Sequence, residues 1–172
     1  MINKTHTLGY LIYWTVIFIL SASMLLYGLG KPLQFSGQEI SKPAGQLTGH
    51  QLMWLFYGHS KLYPIIIGAF EVIGGLSLLH TRTRMFGCLL LSSILLNIII
   101  QDYVYEIVAF STAIYYQLLV IVILIFDFDQ LKKILTVLFS PGKPRIKTSV
   151  MMAALIIAVL LKLYETRLMN LL

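Results

Sequence analysis

Leu62-Tyr63-Pro64-Ile65-Ile66-Ile67-Gly68-Ala69-Phe70-Glu71-Val72-Ile73-Gly74-Gly75-Leu76-Ser77-Leu78-Leu79 is the stretch that decides the fold. As a helix it extends about 27 Å, close to the thickness of a bilayer's hydrocarbon core. Apart from Glu71 it carries no charge. A carboxylate at that depth is costly and must face protein or water, so it marks a site or a structural bond. Continuous apolar runs such as Ile65–Ile67, Leu89–Leu91 and Leu118–Ile125 lack the alternation of barrel strands, so the backbone is satisfied within helices.

Composition agrees with that reading. A mean hydropathy of +0.84, with 58% hydrophobic and 12% charged residues over 172 positions, excludes an ordinary soluble domain. The net charge of +6 is not a nucleic-acid footprint, because Lys132, Lys133, Lys143, Arg145 and Lys147 cluster between apolar spans as topology signals do. The single cysteine, Cys88, allows no intrachain disulfide or Cys-x-x-Cys pair.

Five spans are expected: Leu8–Leu29, Leu62–Leu79, Met85–Tyr105, Ala109–Phe126 and Ser149–Leu163. Residues 1–126 then form a four-span bundle with a loop at 31–61. Residues 127–147 form an amphipathic surface helix and basic linker, and residues 148–172 a fifth span with its tail. In the loop, Leu47–Tyr57 reads as a short interfacial helix, with Trp54, Phe56 and Tyr57 at the headgroup boundary. Leu131, Ile134, Leu135 and Leu138 share one face of the amphipathic helix, capped near Asp127 or Asp129 and stopped by Pro141-Gly142. The basic turn Arg82-Thr83-Arg84 and the Lys132–Lys147 stretch put the N-terminus in the cytoplasm and the 31–61 loop outside. Ser21-Ala22-Ser23 loosely fits a signal-peptide cut, yet the apolar run continues through Met24-Leu25-Leu26, as in an uncleaved span.

Helical rise serves as a depth gauge. Glu71, Asn97 and Ser21 each fall about 14–15 Å below the outer surface, and Gln117 about 12 Å. A shared hydrogen-bonded layer is the economical expectation, with Glu71 beside Asn97 and Gln117 and with Ser21 at the edge. Gly68 and Gly75 share the Glu71 face and admit a neighbouring helix. Ser93, Asn97, Gln101 and Tyr105 form a second stripe at four-residue steps. No Lys or Arg sits at this depth in sequence, so Glu71 is expected to be neutral, or bonded to Asn97 or a water. Its role is then either structural glue or a ligand or proton site.

Toward the outer mouth the chain gathers Tyr and charge: Tyr27 and Lys31, then Tyr57, His59, Lys61 and Tyr63, then Asp102, Tyr103, Tyr105 and Glu106, then Thr112, Tyr115 and Tyr116. These are either an aromatic belt with charged anchors or a vestibule leading down to Glu71. The candidate ligand-binding residues are Glu71, Asn97, Gln101, Gln117, Tyr63, Asp102, Tyr105, Glu106 and Tyr116. His50 and His59 lack a third ligand, and Cys88 lacks a nearby His, so neither a metal centre nor a nucleophile is expected.

The block Trp54-Leu55-Phe56-Tyr57-Gly58-His59-Ser60, followed by Gly68-Ala69-Phe70-Glu71-Val72-Ile73-Gly74-Gly75 and Arg82-Thr83-Arg84, resembles the DoxX-like membrane proteins. Tyr27-Gly28-Leu29-Gly30-Lys31, Leu96-Asn97 and Tyr105-Glu106-Ile107 look similar too, so the resemblance covers about Leu8 to Phe126. It implies a four-helix bundle in the bacterial cytoplasmic (inner) membrane, sometimes an accessory part of quinone-linked complexes. The segment from Asp127 onward departs from the four-span pattern. The expected function is a non-catalytic accessory or binding subunit for a quinone or lipid. The partners are the bilayer and a membrane protein or second copy, and quinone is the implied cofactor class. A quinone-linked oxidoreductase component and a small transporter or immunity-type protein remain as alternatives.

Overall fold

A computed structural model describes residues 4–36, 43–140 and 147–169. All regular structure among them is helical: α1 Lys4–Gln34, α2 Gly49–Gly58, α3 Leu62–Leu79, α4 Arg84–Val104, α5 Phe110–Phe126, α6 Phe128–Leu138 and α7 Thr148–Met169, with a short 3-10 turn at Ala44–Gln46. The protein is an all-α membrane bundle. Thr7–Gln34, Leu62–Leu79, Arg84–Val104 and Thr148–Glu165 are long and apolar enough to cross a bilayer. The 17 residues of α5 are at the short end of that range, and the chain bends by 86° where α6 continues it.

The chain divides into two compact units, Met1–Leu135 and Thr136–Leu172. In the first, α1 packs on α3, α3 on α4, α4 on α5 and α5 back on α1, which closes a four-helix bundle. Its core is a column of Tyr13, Ile17, Leu20 and Met24 from α1, Leu78 from α3, Cys88, Leu91 and Leu95 from α4, and Val120 and Ile123 from α5. The α1 members recur at steps of three and four, as a helix facing a core requires. In the second unit, the α7 residues Thr148–Glu165 are exposed, residues 150–161 are apolar on every side, and Lys162 pairs with Glu165 one turn on. A helix apolar all round suits lipid surroundings.

Backbone contact sets the α1–α3 spacing. A methyl group at Gly28 would sit 2.5 Å from the Gly68 carbonyl oxygen, and one at Gly68 would meet the Gly28 carbonyl in turn. Only glycine permits this approach. Pro32 has no N–H for the Gly28 carbonyl four residues back, and that oxygen lies against Gly68 instead. Lower down, Ser21 Oγ donates to the Gly75 carbonyl oxygen at 2.8 Å.

This corrects the expected end of the first span. The helix runs to Gln34 rather than Leu29, and Lys31 and Pro32 belong to it, not to the loop. A proline in the last turn breaks a single bond, so the helix tolerates it. The short helix before α3 forms as expected and carries a capping box, with Thr48 Oγ1 accepting from Gln51 N–H and Gln51 Oε1 accepting from Thr48 N–H. Tyr57 is buried rather than interfacial.

At the other end, Arg84, a topology signal in the sequence, is buried. Its Nε donates to the Leu78 carbonyl at 2.8 Å and its Nη1 to Tyr13 Oη at 2.7 Å, while the guanidinium lies 4.8 Å from the centre of the Trp14 ring. Tyr13 Oη donates in turn to Asp127 Oδ2 at 2.6 Å. The Asp127 carboxylate therefore ties α1 to the α5–α6 bend. Lys42, Pro141-Gly142, Lys143 and Arg145 lie outside the described residues.

Candidate functional site

Because α1 and α3 touch backbone to backbone at Gly28 and Gly68, no side chain separates them there. The Lys31 stem lies against Gly68, and Glu71 sits three residues deeper along α3, about 4.5 Å of rise. The Lys31 side chain turns down into the bundle across this gap, and its Nζ lies 2.9 Å from Glu71 Oε1. Lys31 and Glu71 are both buried, at 8% and 2% exposure. This corrects the expectation of a Glu71 without a cation. The depth count located the Lys31 Cα but not the reach of its four-carbon arm.

Above this pair is a cavity of about 100 Å³. Met24, Tyr27, Lys31, Gln34 and Phe35 line it from α1 and its end, Ile67 and Glu71 from α3, and Leu95, Ile98, Gln101 and Asp102 from α4. Thr112, Ala113 and Tyr116 of α5 complete the wall, with Ala109 and Ile107 from the turn before it. Met53, Trp54 and Tyr57 of α2 form the roof. Trp54 Nε1 donates to the Gln34 carbonyl at 3.1 Å, satisfying an orphan group at the end of α1. The Phe35 and Tyr57 rings stack at 4.5 Å, and with Met53 and Ile107 they form a second apolar core. Backbone also clamps the roof, since a methyl at Gly49 would lie 2.5 Å from the Tyr105 carbonyl oxygen.

The polar groups converge. Tyr57 Oη donates to Gln101 Oε1 at 2.6 Å. Burial holds the Tyr57 phenol above its ordinary range; the charges of Asp102 and Glu71 push the same way, and the Gln101 bond opposes them. Asp102 is 3% exposed and lies within electrostatic reach of Lys31. Among the described residues, Glu71 Oε2 and Asp102 Oδ2 are buried without a hydrogen-bond partner. Such atoms are uncommon and call for an explanation.

Of the expected candidates, Glu71, Gln101, Asp102 and Tyr116 line the cavity. Asn97 is exposed on the outer face of α4. It follows the buried Leu95 by two positions, about 200° around the helix, so equal depth did not bring it to Glu71. Gln117 turns to α4, where its Nε2 donates to Ser92 Oγ at 2.8 Å. The expected Glu71–Asn97–Gln117 layer is replaced by three separate bonds: Lys31 to Glu71, Ser21 to Gly75 and Gln117 to Ser92. Tyr63 packs outside the cavity against Phe56 and Tyr57, and Tyr105 packs against the roof cluster. Glu106 is exposed with φ 53°, a left-handed residue in the α4–α5 turn. Sequence alone puts Lys31 at the outer mouth and Trp54 at the headgroup boundary, and it gives Phe35 and Met53 no place as cavity walls.

No family model matches this chain, and no solved structure matches it. Over 92 residues it is 33% identical to YwoB, an uncharacterized protein of Bacillus subtilis. The shared stretch covers 51% of this chain and 58% of that protein's length.

Proposed function

We propose that this membrane protein is a non-catalytic binding or accessory subunit of the DoxX-like kind, holding the head of a small amphiphile, a quinone or a lipid, beneath α2. The observation that carries the reading is the roofed cavity itself. It is mostly apolar, has a few convergent polar groups, and contains carboxylate oxygens left unpaired at membrane depth. Ligand pockets have that make-up, and ionisable groups within a membrane bundle are by default functional. In this reading the N-terminus is cytoplasmic, the α2 end faces outward across the bacterial inner membrane, and ligand enters beside α2. Partners are the bilayer and a membrane protein or a second copy.

Trp54 lines the cavity while Trp14 packs on Arg84 at the opposite end, so a Trp14→Phe background isolates a reporter. Titration with a short-chain quinone and a short-chain lipid should give a saturable change in Trp54 emission for at least one of them. Ala113→Phe, which fills the cavity, should abolish it. A change that never saturates, or that survives Ala113→Phe, contradicts the proposal.

A further inference from the structure

We infer that the head group this cavity accepts is a positively charged hydrogen-bond donor, an ammonium on an apolar tail. The inference rests on the cavity being a ligand site, as proposed above, and selects the lipid over the quinone in that reading. Among the described residues, the charged side chains lining the cavity are Lys31, Glu71 and Asp102, one basic group against two carboxyl groups. Lys31 is bonded to Glu71 Oε1. The atoms left over are both acceptors, Glu71 Oε2 and Asp102 Oδ2, on residues 2% and 3% exposed. An ionised carboxylate oxygen accepts and cannot donate, and a buried carboxylate needs an opposite charge beside it. Lys31 supplies one cation for two carboxyl groups, so a ligand that brings a second cation with an N–H completes the set.

The walls and the volume agree with this. Tyr27, Phe35, Trp54, Tyr57 and Tyr116 surround the space, and aromatic faces attract ammonium groups. At about 100 Å³ the cavity is smaller than the roughly 150 Å³ that holds benzene, so a compact ammonium enters where a substituted ring requires α2 to lift. A head carrying phosphate or carboxylate without an ammonium would meet like charge. A quinone presents only acceptors to the two unpaired oxygens.

The test uses the full-length Trp14→Phe protein in a neutral detergent, with Trp54 emission read against octylamine, octyltrimethylammonium, octanol, octanoate and a short-chain quinone. Octylamine should bind about tenfold or more tighter than octanol, as a charge-assisted bond implies. Octyltrimethylammonium, which has no N–H, should fall between the two, and octanoate should not bind. Asp102→Asn should bring octylamine to the level of octanol and leave octanol unchanged. If Asp102→Asn does not fold, the order of octylamine, octyltrimethylammonium and octanol on the Trp14→Phe protein decides alone. Tighter binding of octanoate or quinone than octylamine overturns the donor rule while leaving the ligand site standing. No binding by any probe removes the site and the inference together.

Discussion

The Gly28 carbonyl oxygen of α1 lies against Gly68 of α3, and this backbone contact brings Lys31 over Glu71. The same glycine pair that lets the helices touch removes the side chain that would block the lysine's path. Packing and electrostatics are thus one feature of the α1–α3 seam.

The seam should be sensitive at one glycine and tolerant at another. Gly68→Ala places a methyl against the Gly28 carbonyl and the Lys31 stem, and should cost about 1–3 kcal/mol, as overpacking does. A Cβ at Gly30 meets nothing within 4 Å, so Gly30→Ala should melt in detergent within a few degrees of the parent. Equal losses at both positions would contradict the contact.

Tyr13 is both acceptor and donor at the far end of the bundle. Tyr13→Phe leaves the Asp127 carboxylate and an Arg84 N–H without this partner and should cost about 1–3 kcal/mol. Arg84→Lys cannot keep both guanidinium bonds and should also destabilise. Trp14→Phe, which keeps an aromatic face under Arg84, should be milder than either.

Much of the bundle was legible in the sequence because apolar length and glycine spacing report directly on membrane helices. The bounds of α3 agree with expectation, and both bounds of α4 and the start of α5 shift by one residue. The site was half legible. Counting along a helix gives depth but not azimuth, so depth alone puts Asn97 beside Glu71, whereas it is exposed on the outer face of α4. Counting Cα positions also hides the reach of a long side chain, so Lys31 was assigned to the mouth. Gly28, three residues before it and opposite Gly68, was the signal available in the sequence. Nothing local in Met53 or Trp54 announces a roof, because that role depends on α2 docking on the ends of α1 and α4.

Tyr57 predicts a pH dependence. Burial raises its phenol above the ordinary value of 10.0, so the folded protein keeps this proton to higher pH than the unfolded chain does. The associated stability is full below about pH 10 and is lost as pH rises through the native value. The thermal midpoint should therefore fall with pH above about 10. Tyr57→Phe should reduce that slope, while also losing the Gln101 bond at every pH.

The Lys31–Glu71 pair carries the account, and a double-mutant cycle on it is the most direct test. Lys31→Met leaves Glu71 and Asp102 buried with no cation and should cost about 3–5 kcal/mol. Glu71→Met should cost less, because Asp102 remains within reach of Lys31. Lys31→Met combined with Glu71→Met replaces the pair by apolar groups and should recover most of the loss. The account predicts a coupling of at least about 2 kcal/mol in a reversible detergent unfolding series. Additive losses, or a Lys31→Met protein as stable as the parent, would contradict it.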